Sequence, residues 1–276
     1  MKIVKHSGDI VAFIPEKLKT SLLKSGANKD VVQKILQSIK KELYEGISTK
    51  KIYKMAFALL KKEANAHAAR YNLRSALQLL GPTGFFFEKY IARLFAAELY
   101  ETKLNLTLQG KCISHEIDVL IKKNNVISMV ECKFHPGREA VSDVKVPMYI
   151  LSRFNDLKEK EYAIFSRKDT ISKCCIVTNN RFTSEAIAFA KCSELNLLSW
   201  NYPEKNNLKT KNDSDYLYPI TCLTTLSLTE KDKLLILDVI LVKEIINNSD
   251  CLEKIGISPN RVKNVMKEAS ELCNFL

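Results

Sequence analysis

Asp118, Glu131 and Lys133 form a D-(12 residues)-E-x-K pattern, and these are the residue types that phosphodiester chemistry uses. Glu131 and Lys133 sit in VISMVECKF (126–134), a run that is apolar except for its two charges and reads as a strand. Side chains two apart on a strand leave the same face. Asp118 lies in HEIDVLIKK (115–123), a second strand joined to the first through Asn124-Asn125, a dipeptide suited to a tight hairpin turn. A hairpin of this length brings Asp118 near Glu131. Unpaired charges at the end of a buried strand each cost roughly several kcal/mol of desolvation, so packing does not explain them. Two carboxylates can hold a hard cation such as Mg²⁺ or Mn²⁺, which keeps several waters. The cation lowers the pKa of a bound water and polarises the phosphate, and a neighbouring lysine offsets developing charge. The plain alternative is a Glu–Lys surface pair on an edge strand. Placement on a hairpin inside an α/β pattern favours the catalytic reading.

The elements that must position these residues follow from periodicity. A helix is expected from Thr83 through GFFFEKYIARLFAAELY, then a short strand LNLTL, then the hairpin. A helix from Ser142 to Lys158, a buried strand CCIVTN (174–179), a helix over 182–192 and a strand LNLLSW complete an α/β sandwich pattern. Upstream, a hairpin over 3–14 precedes three helices, with Pro15 opening the first, Gly26 closing it, and Asn28 and Ser48 starting the next two. The segment 201–215 is polar and turn-rich and reads as a linker to a helical tail. Three serial domains are therefore expected: 1–81, 82–203 and 204–276.

Gly84-Phe-Phe-Phe-Glu88 on a helix, Ile117-Asp118-Val119 and Glu131-Cys132-Lys133 together resemble the PD-(D/E)xK nuclease superfamily, nearest to the Mrr-type restriction endonucleases and archaeal Holliday-junction resolvases. The resemblance spans residues 82–202. It implies an α/β (α+β) restriction-endonuclease-like fold with a mixed central sheet flanked by helices. It implies Asp118 and Glu131 as metal ligands, the Cys132 carbonyl as a further ligand, Lys133 as the catalytic lysine, and Glu88 as an acidic residue near the metal. Lys145, at the next helix start, is a candidate phosphate contact. His115 reads as structural, because this chemistry needs no imidazole.

Val4-Lys5, Gly8, Phe13, Glu16-Lys17-Leu18, Gly46-Ile47-Ser48-Thr49, Ile52-Tyr53 and Tyr71-Asn-Leu-Arg74 resemble the ATP-cone, a small nucleotide-binding regulatory domain. That resemblance implies ATP or dATP as ligand, with Lys5, His6 and Lys17 toward the phosphates and Thr49 and Tyr53 toward the nucleoside. Neither a Walker A nor a GxGxxG motif occurs, which argues against P-loop hydrolysis. In the tail, Ile255-Gly256-Ile257-Ser258-Pro259 looks like the hairpin of a helix-hairpin-helix module. Gly256 would then let backbone N–H groups approach a phosphate, and Arg261 and Lys263 would add charge.

The charge distribution agrees in part. The net charge is +12, and residues 1–80 hold 16 basic and 6 acidic side chains, against 18 and 15 in 81–205 and 9 and 10 in 206–276. An electropositive N-terminal third attracts polyanions, whether nucleotide or nucleic acid. At 46% hydrophobic and 27% charged, the composition excludes a collagen or a disordered tail protein. No apolar run approaches the roughly 18 residues of a membrane span, and no secretory signal pattern opens the chain. The eight cysteines show no CxxC, so a reducing, cytoplasmic location is expected. The combined expectation is a Mg²⁺-dependent DNA endonuclease regulated by nucleotide and acting as a homodimer. The alternative is a non-catalytic, nucleotide-responsive DNA-binding regulator that uses the same fold.

Overall fold

The structure is a computed structural model that describes residues 1–5 and 7–273; His6, one of the residues expected to face phosphate, lies outside the described residues. The strands are β1 (Lys2–Val4), β2 (Ile10–Ala12), β3 (Glu101–Gln109), β4 (Ser114–Lys123), β5 (Val126–Lys133), β6 (Val141–Ser142), β7 (Glu161–Tyr162), β8 (Asp169–Thr178), β9 (Arg181–Phe182) and β10 (Asn196–Leu198). The N-terminal helices are α1 (Pro15–Lys24), α2 (Lys29–Glu42), α3 (Thr49–Glu63), α4 (Asn65–Tyr71) and α5 (Leu73–Gln78). The middle ones are α6 (Phe85–Ala97), α7 (Lys145–Leu157), α8 (Ser184–Cys192) and α9 (Leu208–Asp215). A 3₁₀ turn (Ile220–Cys222) then leads to α10 (Leu228–Ile236), α11 (Val242–Asn247), α12 (Asp250–Lys254) and α13 (Pro259–Cys273). Among the described residues, no helix is long and apolar enough to cross a membrane.

The chain forms two compact units, Met1–Ala76 with Tyr218–Leu276, and Leu77–Leu217. In the first, the β1–β2 hairpin continues onto the segment before α3, where Val4 bridges Ser48 and donates its N–H to the Ile47 carbonyl at 3.0 Å. The caps fall where the sequence puts them. Asn28 accepts from Val31 N–H at 2.9 Å, Ser48 accepts from Lys51 N–H at 3.1 Å, and Gly26 adopts φ +94° just past α1. Leu18, Leu22, Ile35, Ile39, Ile52 and Leu60 are spaced to face inward and form the core.

The tail joins this unit because its polar groups find partners there. Lys61 Nζ donates to the Thr224 carbonyl at 2.9 Å, and Thr221 Oγ1 donates to the Ala76 carbonyl at 2.7 Å. Within the tail itself, Glu268, only 1% exposed, accepts from the N–H groups of Thr224 and Thr225 and from the Thr224 hydroxyl. A buried carboxylate is tolerable only when bonded in this way. These pairs are far apart in sequence, so no local pattern announces them.

The second unit holds the large mixed sheet, in the order β10-β8-β5-β4-β3 with β7 on β8. The β3–β4–β5 pairs are antiparallel, while β5–β8 and β8–β10 are parallel. Helices flank it: α6 packs on β3, β4 and β5, α7 on β8 and α8 on β10. The expected linker is a folded part of this unit. Asn207 caps α9, Leu208 is buried, and the Asn212 amide donates to the Tyr90 hydroxyl and the Leu208 carbonyl. Its polar composition hid this because its anchors are asparagines.

Asp169 opens β8 and fixes the preceding turn. Its carboxylate accepts from Phe165 N–H, Ser166 N–H and the Ser166 hydroxyl, each at 2.6 Å, with Lys122 at 3.9 Å. Burial alone would raise its pKa, but the Ser166 bonds, the Phe165 N–H and Lys122 outweigh that and hold it at about 2. A depressed carboxylate pKa stabilises the fold above the ordinary carboxylate range, and that contribution is lost as pH falls toward 2. Asp169→Asn should therefore lower stability at pH 7 by about 1–2 kcal/mol, with the deficit shrinking steadily between pH 4 and pH 2 in denaturant titrations.

Candidate active site

β4 and β5 are buried along their middles, from Val119 to Ile121 and from Ile127 to Val130. Such runs of apolar residues build a central strand covered on both faces. Asn124 and Asn125, at φ +51° and +61°, make the tight turn that sets the register, with Lys123 opposite Val126 and Val119 opposite Val130. Pairing stops there. The next residues outward are Asp118 on β4 and Glu131 on β5, so the register places them opposite each other.

The ladder is interrupted at Asp118 on its other side as well. β3 pairs Leu104 with Val119 and Leu106 with Ile117, but Asn105 between them takes φ +50° and leaves the pairing. At this one-residue gap, which leaves the register unchanged, the Asn105 amide donates to Glu88 Oε2 at 3.0 Å. Glu88 comes from the first turn of α6, which Gly84 starts at φ +91°. Asp118 Oδ2 accepts from Cys132 N–H at 2.7 Å, so a side chain takes a role that a ladder carbonyl has elsewhere. Lys133 follows Glu131 on the same strand face and is exposed.

Electrostatics mark the spot. Asp118 is raised to about 7, chiefly by burial and then by the Glu131 charge, against the Cys132 N–H. Glu131 is also raised by burial, although Arg153 and Lys133 pull the other way. Burial pushes the Cys132 thiol well up, which leaves the Cys132 carbonyl and not a thiolate as the donor to consider. A cluster of hard oxygen donors short of positive charge suits Mg²⁺ or Mn²⁺, which need only one or two carboxylates and otherwise keep water. The residues fit that ion, which Asp118 and Glu131 would hold. Among the described residues, no three or more His, Cys, Asp or Glu side chains converge into a closed metal cage.

Two residues here were not singled out by sequence reasoning. Arg153 of α7 places Nη1 2.6 Å from Glu131 Oε2 and donates its other arm to the Glu116 carbonyl. Its only sequence signal is the spacing Lys145-Tyr149-Arg153 along one side of a helix. Asn105 is the other, and an asparagine inside a strand-like run is its signal. Lys145, the first residue of α7, is exposed. His115 is buried with Nε2 2.8 Å from Asp156, a packing role.

The candidate residues in the first unit divide. Lys5 sits 3.6 Å from Asp9, beside the start of α3 through the Val4–Ser48 bridge, so Lys5 and Thr49 share one end of the fold. Lys17 is exposed on α1. Tyr53 stacks on Tyr71 with ring centres 4.9 Å apart and donates to Asn72 Oδ1 at 2.6 Å, which already accounts for its position. In the tail, Gly256 at φ +88° closes α12. Its N–H bonds to the Glu253 carbonyl and the Ile257 N–H to the Leu252 carbonyl, a helix-ending turn that itself demands glycine. Arg261 is engaged with Glu230 and the Thr225 carbonyl, and this pairing holds the Glu230 carboxyl at about 2; Lys263 is exposed. Arg261 is paired within the fold while its side chain stays 46% exposed.

Comparison with known proteins adds identity to this geometry. Residues 1–76 match the ATP cone domain, residues 82–201 the Restriction endonuclease domain, and residues 218–273 the AF1548-like, C-terminal family. An uncharacterized protein of Archaeoglobus fulgidus is 31% identical over 183 residues, 66% of this chain and 99% of the relative. A crystal structure of the protein of unknown function AF1548 superimposes with a TM-score of 0.57 at 30% identity, covering 68% of this chain and 97% of that one. With an ATP cone and a Mrr-type restriction endonuclease domain in one polypeptide, the chain belongs to the AF1548-like family.

Proposed function

We propose that this protein is a Mg²⁺- or Mn²⁺-dependent DNA endonuclease whose activity responds to ATP or dATP. The observation that carries the reading is the neighbouring pair Asp118 and Glu131 just past the end of the β4–β5 ladder, with Lys133 two residues along. Asp118 and Glu131 would hold the ion, and when bound it supplies a water of lowered pKa and polarises the scissile phosphate. Cys132 N–H keeps the Asp118 carboxylate aimed. Lys133, free to reach solvent, orients the attacking water and offsets the charge that builds on the phosphate. Asn105 keeps the Glu88 carboxylate beside the pair. Lys145 at the start of α7 and Lys263 are exposed cations available to a DNA backbone. A cytoplasmic homodimer remains part of this proposal, since two active sites would cut both strands.

Asp118→Asn and Lys133→Ala should each lower Mg²⁺-dependent cleavage of plasmid and oligonucleotide DNA by roughly a hundredfold or more. Binding of the same DNA in Ca²⁺ should hold or tighten for Asp118→Asn, because one repulsive charge is gone. Full cleavage by both variants would remove the catalytic assignment. DNA binding by the wild type without cleavage under any divalent ion would leave the regulator reading in its place.

Nucleotide binding is read from the ATP cone and its basic surface, with Lys5, Lys17 and Thr49 as contacts and Tyr53 as a nucleoside neighbour. His6 belongs to the same proposed set. A ligand that binds only the native state stabilises it by RT ln(1 + [L]/Kd), about 2.7 kcal/mol at a hundredfold excess over Kd. The test uses the full chain, because residues 218–276 share the compact unit with the cone. ATP or dATP should raise its melting temperature, and Lys17→Ala should blunt the rise; no shift at millimolar nucleotide would remove the sensing role.

A further inference from the structure

Arg153 stands inside the carboxylate cluster, and nothing in the D-x-E-x-K pattern requires it. Its side chain is 11% exposed, and the Glu131 side chain it meets is 16% exposed. One arm holds Glu131 Oε2 at 2.6 Å; the other donates to the Glu116 carbonyl on β4. The Tyr149 ring, one turn earlier on α7, lies with its centre 5.8 Å from the guanidinium carbon. Three constraints on one side chain define its place. β4 and β5 cease to pair beyond Val119 and Val130, and past that point Arg153 joins the Asp118–Cys132 bond in spanning the two strands. A lysine could not do this, since a single ammonium lacks the planar fork that reaches two acceptors at once.

The charges explain why a cation is needed there. Glu131 and Glu88 both lie close enough to Asp118 to act on its charge, and like charges in a part-buried site repel. We infer that Arg153 is a positioning residue: it serves as the resident counter-ion of the carboxylate cluster, holding Glu131 in place before a divalent ion arrives and competing with that ion for Glu131. This inference rests on the proposed function, because it presumes that the cluster takes a divalent cation.

Competition and structural support predict opposite signs. If Arg153 only propped the strands, its removal would loosen the site and weaken metal binding. As a competing charge within a few ångströms, its removal should strengthen metal binding by at least about tenfold. The experiment is Mn²⁺ titration of the full chain without DNA, followed by electron paramagnetic resonance of free Mn²⁺. Arg153→Ala and Arg153→Gln should both bind Mn²⁺ at least about tenfold more tightly than wild type. Arg153→Lys, which keeps the charge, should stay near wild type. In steady-state cleavage, Arg153→Ala should lower kcat with little change in KM, since Glu131 is no longer fixed while DNA contacts are untouched. The glutamine variant keeps length and hydrogen-bonding capacity, so it carries the test if the alanine variant does not fold. Unchanged or weaker Mn²⁺ binding in the neutral variants would overturn the inference, as would a lysine variant that behaves like them. Absence of Mn²⁺ binding in wild type and every variant would remove the cation site itself, and the proposed function with it.

Discussion

The second unit is organised around one constraint: carboxylates kept half-buried at the point where a central strand loses its neighbours. A β-sheet satisfies its backbone by pairing, and β4 is paired on both sides from Val119 inward. At Asp118 the pairing is interrupted on both sides, by a one-residue gap at Asn105 on β3, beyond which the β3–β4 ladder resumes, and by the end of the β4–β5 ladder. The opening must then be filled by side chains. Asp118 takes the Cys132 N–H, and Arg153 takes the Glu116 carbonyl. The sheet therefore trades ladder bonds for a cluster of charges, and the burial of that cluster is what raises Asp118 and Glu131 together.

Rigid surroundings make such a cluster tolerable. The apolar runs of β4 and β5 pin the hairpin, and the parallel pairing of β5 with β8 continues as far as Lys133 opposite Thr178. So Glu131 and Lys133 stand on a strand that is supported on its β8 side even after β4 has let go. α6 brings Glu88 and α7 brings Arg153, each anchored by its own buried face. Charge balance comes from groups on four different elements, and only part of that balance is local in sequence.

This division explains what the sequence alone reveals. The D-(12 residues)-E-x-K pattern, the Asn-Asn turn, the caps at Asn28 and Ser48 and the closing Gly26 are short-range features with direct physical signatures. They are enough to bring Asp118 near Glu131 and to outline the hairpin and the first helices. Arg153 was not legible, because an arginine on an amphipathic helix looks like an ordinary surface residue until the helix is docked. The bond from Asn105 to Glu88 was not legible because it depends on how α6 packs on β3. The attachment of the tail to the cone was not legible, because Lys61–Thr224 and Thr221–Ala76 join residues more than a hundred positions apart. Arg261 and Gly256 looked like phosphate-binding residues, and their positions follow from Glu230 and from the end of α12.

The central claim is that the Asp118–Glu131 pair is a divalent-cation site. The most direct measurement is a crystal of the full chain grown with Mn²⁺, with anomalous scattering recorded at the manganese edge. The account predicts an anomalous peak bonded to oxygens of both Asp118 and Glu131, and none there in Asp118→Asn. A peak elsewhere, or none beside these carboxylates at Mn²⁺ concentrations that support cleavage, would contradict it.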